Sequence, residues 1–131
     1  MCSFLIVASG GALGTTLRWL IQKIFIYLSQ QFPYFQNLSL GTLCVNLIGG
    51  YCIGLLSSLL LHYHANESLK LFVIVGFLGG FTTFSSFSME SLELLRRSQY
   101  TLFCLHILLH TFGLIFMASC GLATFQAFKS H

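Results

Sequence analysis

Asn46, Ser85 and Ser86 are neutral hydrogen-bonding side chains in an otherwise apolar chain, and Phe84 and Phe87 flank the two serines. An aromatic ring carries positive charge at its edge. Two ring edges, an asparagine amide and serine hydroxyls therefore make a site for a small anion without any fixed cation. Weak, multi-site binding of that kind suits conduction, because an ion held too tightly does not leave. The plainer readings are an interhelical hydrogen bond for Asn46, of about 0.6–2 kcal/mol, and lipid or core contact for the phenylalanines. With 14 phenylalanines in the chain, that second reading is the ordinary one.

His106 and His110 stand four apart, on one helical face, at the spacing of a metal or haem pair. No carboxylate or thiolate stands at matching spacing to complete a set, so a hydrogen-bonding or pore-facing role is preferred. The five cysteines form no CxxC pair and read as small packing residues rather than as a disulfide or zinc framework.

Gly79-Gly80 followed by Thr82-Thr83 is poor helix-forming sequence, and β-branched residues after paired glycines invite a local unwinding. A break inside a membrane frees backbone carbonyls, which something must satisfy. A cation such as sodium does so at discontinuous helices. The alternative is a straight helix whose glycines serve packing alone.

These residues need a scaffold, and composition dictates its kind. The chain of 131 residues is 56% hydrophobic and 7% charged, against roughly 25% charged in soluble proteins. A membrane helix needs about 20 mostly apolar residues, and four such spans are expected near 3–25, 39–61, 70–95 and 101–125. Residues 1–131 thus form a single all-α transmembrane domain. No basic segment precedes the first apolar run, which argues against a cleaved signal peptide, and nothing in the charge suggests nucleic acid.

Gly10 and Gly14 form a small-xxx-small pair for close helix approach, and Arg18 is expected near the interface, as a snorkelling anchor or a functional group. The segment SQQFPYFQN, with Pro33, reads as an interfacial turn. In the second span Thr42, Asn46, Gly49, Gly50 and Ser57 share one face. Glu90 and Glu93 precede Arg96 and Arg97, as in a helix emerging into water. Loop charge is nearly balanced: Lys70 and Lys129 on one side, Lys23, Arg96 and Arg97 on the other with Arg18 approaching. Orientation normally follows that asymmetry, so either a weak single orientation or insertion both ways round is open. One chain would struggle to enclose a pathway while satisfying all its polar groups, which favours a dimer.

Three motifs in order, GGALGTTLRW, GTLCVNLIGGYCIG and GFLGGFTTFSSFSME, resemble those of the Fluc (CrcB) fluoride channels, and the likeness covers essentially the whole chain. The resemblance implies four spans with the third helix broken near its middle, an antiparallel dual-topology homodimer in the cytoplasmic (inner) membrane, and passive efflux of fluoride. It implies a structural sodium at the dimer centre, held by the carbonyls of Gly79 and Thr82, and no organic cofactor. It places Asn46, Phe84, Phe87, Ser85 and Ser86 along the fluoride pore, Arg18 in a vestibule or structural role, and Glu90 at the pore end. In the fourth span His106 and His110 stand where the family usually has a polar or tyrosine residue and a serine; imidazoles there would make transport pH-sensitive.

Two other classes are open. A small multidrug/proton antiporter relies on a membrane-embedded carboxylate, whereas Glu67, Glu90 and Glu93 all lie at or near span ends. A haem-bearing membrane subunit would use His106 and His110 and show a visible absorption band. No catalytic constellation or nucleotide motif points to an enzyme.

Overall fold

The computed structural model describes residues 2–31 and 40–130, and every secondary-structure element among them is helical. Helix α1 spans Cys2–Gln31 and α2 spans Leu40–His62. The third span divides in two. Its first part, α3, covers residues 67–81: a turn over Glu67–Lys70, wide π-helical turns over Leu71–Leu78, and Gly79–Phe81. Its second part, α4, is Phe84–Arg96, and α5 is Tyr100–Lys129. Four helical stretches, taking Glu67–Arg96 as one, are long and apolar enough to cross a membrane. The chain is thus a multi-pass membrane protein. The turn expected around Pro33 lies outside the described residues.

The helices outrun the apolar windows read from sequence: α1 continues past Lys23 to Gln31, and α5 continues to Lys129. Backbone groups near a membrane surface still need partners, and continuing the helix supplies them. Asn66 starts the third span by accepting the Leu69 N–H at 2.8 Å, the ordinary asparagine cap. At the far end, the exposed pair Arg97–Glu93, 2.8 Å apart, marks the emergence into water.

Two glycine seams set the packing. Helix α1 lies along α3, where a Cβ on Gly10 would come within 2.5 Å of the Phe72 carbonyl oxygen and one on Gly76 within 2.8 Å of that of Val7. Helix α2 lies along α5, where a Cβ on Gly54 would strike the Ala118 carbonyl and one on Gly121 the Tyr51 carbonyl. Lipid tails are as apolar as leucine, so close van der Waals contact is what holds such helices together. The result is two tight pairs, α1 with α3 and α2 with α5, and α4 reaches across to the second pair. Few large side chains are fully buried: Val45, Leu78, Phe81 and Leu94 form the apolar core.

The break falls at Thr82 and Thr83, whose backbones are extended (φ −73°, ψ 158° and φ −146°, ψ 115°). Helical bonding stops with the Thr82 N–H, which still reaches the Leu78 carbonyl at 3.0 Å. Thr83 then caps α4, its hydroxyl accepting the Ser86 N–H at 3.1 Å.

Candidate functional site

A continuous helix would bond the Thr83 N–H to the Gly79 carbonyl and the Ser86 N–H to that of Thr82. Both donors are diverted. The Thr83 N–H goes to Asn46 Oδ1 at 2.9 Å, and the Ser86 N–H goes to the Thr83 hydroxyl. The carbonyls of Gly79 and Thr82 therefore lose their helical partners. Arg18 donates to the Thr82 carbonyl at 3.3 Å, and the Thr15 hydroxyl donates to Gly80, the next carbonyl along, at 3.4 Å. Gly79 is exposed.

Asn46 is buried and clamps the break. Its Oδ1 takes the Thr83 N–H, so its Nδ2 must face the other way, donating to the Thr83 carbonyl at 3.1 Å and to His110 Nδ1 at 3.2 Å. That orientation makes His110 Nδ1 an acceptor and leaves the ring proton on Nε2. Of the face predicted for α2, Thr42, Asn46, Gly49 and Gly50 are buried together. Ser57 is exposed and bonds back to the Ile53 carbonyl of its own helix.

Phe84 and Phe87 stand apart in environment. Phe84 is 79% exposed, and its ring lies 5.4 Å from that of Phe87, tilted by 44°. Phe87 is half-buried, stacked on His106 at 5.1 Å and against His110 at 4.8 Å. With a face covered by imidazole, Phe87 has its ring plane fixed. Between the rings, the Thr83 hydroxyl contacts Ser85 Oγ at 3.2 Å and Ser86 Oγ at 3.1 Å, so three hydroxyls form a short polar strip. Phe81 is buried and stacked on Phe77, away from that strip.

At Thr83 the strip borders a cavity of about 460 Å³ lined also by Asn46, Gly79, Thr82, Phe84, Phe87 and His110 among others. Its other end is polar. Glu90 accepts from the Thr42 hydroxyl, which in turn accepts from Gln22 Nε2 at 3.2 Å. Glu90 Oε2 lies 3.7 Å from His106 Nε2. Both histidines are almost wholly buried, at 2% and 7% exposure.

The structure therefore brings Asn46, Ser85, Ser86, Phe87, His106, His110 and Glu90 together, with Phe84 at the open edge. Arg18 sits on the backbone of the break. Two sequence expectations need correction. A carboxylate does join the histidine pair, because Glu90 on α4 packs against α5; spacing within one helix could not reveal it. Glu90 is also not simply a span-end charge in water, since Thr42 and His106 hold it half-buried. Thr83, Thr42 and Gln22 were missed as site residues. Threonine is a favoured N-cap residue, and one standing between a glycine-rich break and a resumed helix could have flagged Thr83.

A family model described as "CrcB-like protein, Camphor Resistance (CrcB)" matches residues 5–122. A protein of Acinetobacter baylyi named "Fluoride-specific ion channel FluC" is 38% identical over 129 residues, 98% of each chain. Proteins of the same name from Campylobacter jejuni and Aromatoleum aromaticum are 40% and 39% identical, covering 95% and 97% of this chain and 98% and 93% of their own. Similar over nearly its full length to these relatives and to the family model, this chain belongs to the CrcB family.

Proposed function

We propose that this chain is a fluoride-selective channel that lets fluoride leave passively across the cytoplasmic (inner) membrane, lowering cytoplasmic fluoride. The observation that carries the reading is the polar strip at the helix break: clamped hydroxyls and a fixed phenylalanine ring in an otherwise apolar bundle. Fluoride is small and strongly hydrated, so a pathway must replace its water with donors. The Ser85 and Ser86 hydroxyls, the His110 Nε2–H and the edges of Phe84 and Phe87 supply them, with no lysine or arginine on the strip to trap the ion. Full-length similarity to proteins named fluoride-specific ion channels supports this reading over an antiporter or a haem subunit.

The working unit is an antiparallel, dual-topology homodimer. Phe84, Ser85 and Gly79 are exposed on a single chain beside the open cavity, and a second copy would cover them. Sodium fits the same face: Gly79 and Thr82, the carbonyls it would use, are the two whose helical donors are seen diverted. Arg18 already donates to the Thr82 carbonyl, and a sodium ion bound between two copies would take the remaining lone pairs of Gly79 and Thr82.

Reconstitution in liposomes with a fluoride-selective electrode tests the function. Rapid fluoride efflux with negligible chloride efflux is expected; equal chloride efflux overturns the assignment.

A further inference from the structure

Glu90, His106 and His110 each offer a ligand atom, and these atoms all lie within 4.8 Å of one another. Among the described residues this is the only trio of histidine, cysteine or carboxylate side chains so placed. We propose that it is a binding site for a divalent transition-metal ion of the zinc class, at the end of the polar strip, and that an ion bound there stops anion flux. The second clause rests on the channel reading; the first does not.

The donor set selects the ion. Two imidazoles and one carboxylate suit zinc and its neighbours, whereas magnesium and calcium take oxygen ligands. Zinc holds such ligands at about 2.0–2.2 Å in a tetrahedron, which puts ligand atoms about 3.3 Å apart. His106 Nε2 and Glu90 Oε2 are 3.7 Å apart, near that spacing, whereas the trio as a whole is held only within 4.8 Å, so side chains must move to bring in the third ligand. The two rings lie 4.4 Å apart between centroids. Nε2 of both histidines is buried, with no hydrogen-bond partner among the described residues.

The surroundings resemble the supports that orient metal ligands. Thr42 fixes one oxygen of Glu90, Gln22 fixes Thr42, and Phe87 stacks on His106 and lies tilted against His110. Three protein ligands leave the fourth position of a tetrahedron to water. His110 carries a conflict of its own. Coordination through its Nε2 moves the ring proton to Nδ1, opposite the Asn46 donor. The ion therefore binds primarily to His106 and Glu90, and its capture of His110 pulls that ring from the clamp. Binding thus both fills the end of the strip and disturbs the break.

The test uses the purified, chelator-stripped full chain in detergent, titrated with Co²⁺ and followed by visible absorption, and the same chain in liposomes with added Zn²⁺. Saturable binding of one Co²⁺ per chain is expected. His106→Gln and Glu90→Gln weaken it by at least about tenfold, the loss seen even for outer-shell partners, and His110→Ser weakens it less. The exposed histidines serve as controls: His62→Gln and His64→Asn leave binding unchanged, asparagine being chosen because His64 has a positive φ of 49°. Each variant is first shown to elute as wild type in size-exclusion chromatography, so that lost binding is not lost folding. Equal affinity in wild type and in both His106→Gln and Glu90→Gln overturns the site. Zn²⁺ slows wild-type fluoride efflux, a chelator restores it, and His106→Gln resists the ion relative to its own metal-free rate. Binding that depends on the trio but leaves efflux unaltered removes the block and keeps the site. Absence of efflux from metal-free wild type removes the channel reading, and the Co²⁺ titration still decides the site.

Discussion

Asn46→Leu is the sharpest probe of the break. The substitution keeps bulk and removes every hydrogen bond from the clamp. The Thr83 carbonyl, as a capping residue's, retains the first bond of α4. The Thr83 N–H has no such reserve and becomes a buried, unpaired donor. That costs about 1–3 kcal/mol, while bonds between membrane helices average only about 0.6 kcal/mol because their groups find other partners. The helical alternative is the Gly79 carbonyl, which the N–H reaches only if the break closes into continuous helix. The extended Thr82 and Thr83 backbones, held also by Arg18, oppose that closure. The upper estimate therefore applies, about 2 kcal/mol, a fall in melting temperature of roughly 4–8 °C at 2–4 °C per kcal/mol. Thermal denaturation of the purified protein in detergent measures it. Thr83→Ala, which removes the cap but keeps the backbone bonds, should cost only about 1 kcal/mol. An Asn46→Leu protein that melts with wild type, or above Thr83→Ala, refutes the clamp.

Phe84→Ile and Phe87→Ile should each sharply reduce fluoride efflux from liposomes while leaving the oligomer intact by size-exclusion chromatography; wild-type efflux in both removes the ring-edge mechanism. Asn46→Asp should likewise reduce efflux, since it sets a carboxylate against the Thr83 carbonyl and beside the anion's path. Gly121→Leu should abolish folded protein, because even its Cβ strikes the Tyr51 carbonyl, whereas Gly113→Ala meets only the flexible Leu47 Cδ2 at 2.9 Å and should express normally. Yields after detergent extraction separate the two.

Hydropathy alone located the four spans, because lipid demands long apolar runs and this chain has little else. The GGFTT stretch was legible as a break for a local reason, poor helix propensity, and the break lies there. What sequence left open was who pays for it. Asn46 was read as needing a partner, but nothing in one helix says that the partner is the backbone of Thr83. Glu90 was read as lying near a span end, and only the packing of α4 on α5 sets it beside His106. The π-helical turns over Leu71–Leu78 had no signal at all: LFVIVGFL lacks the proline or polar residue that would announce irregular turns.

The clamp also imposes an order on assembly. Synthesis delivers α2 to the membrane before residues 67–96, so the Asn46 amide is already there when the broken helix arrives. The break need never meet lipid with its Thr83 N–H bare. His110 follows on the last helix and takes the remaining Asn46 proton, completing the arrangement only once the whole chain is inserted. A chain stopped before α5 would leave one Asn46 donor without its His110 partner.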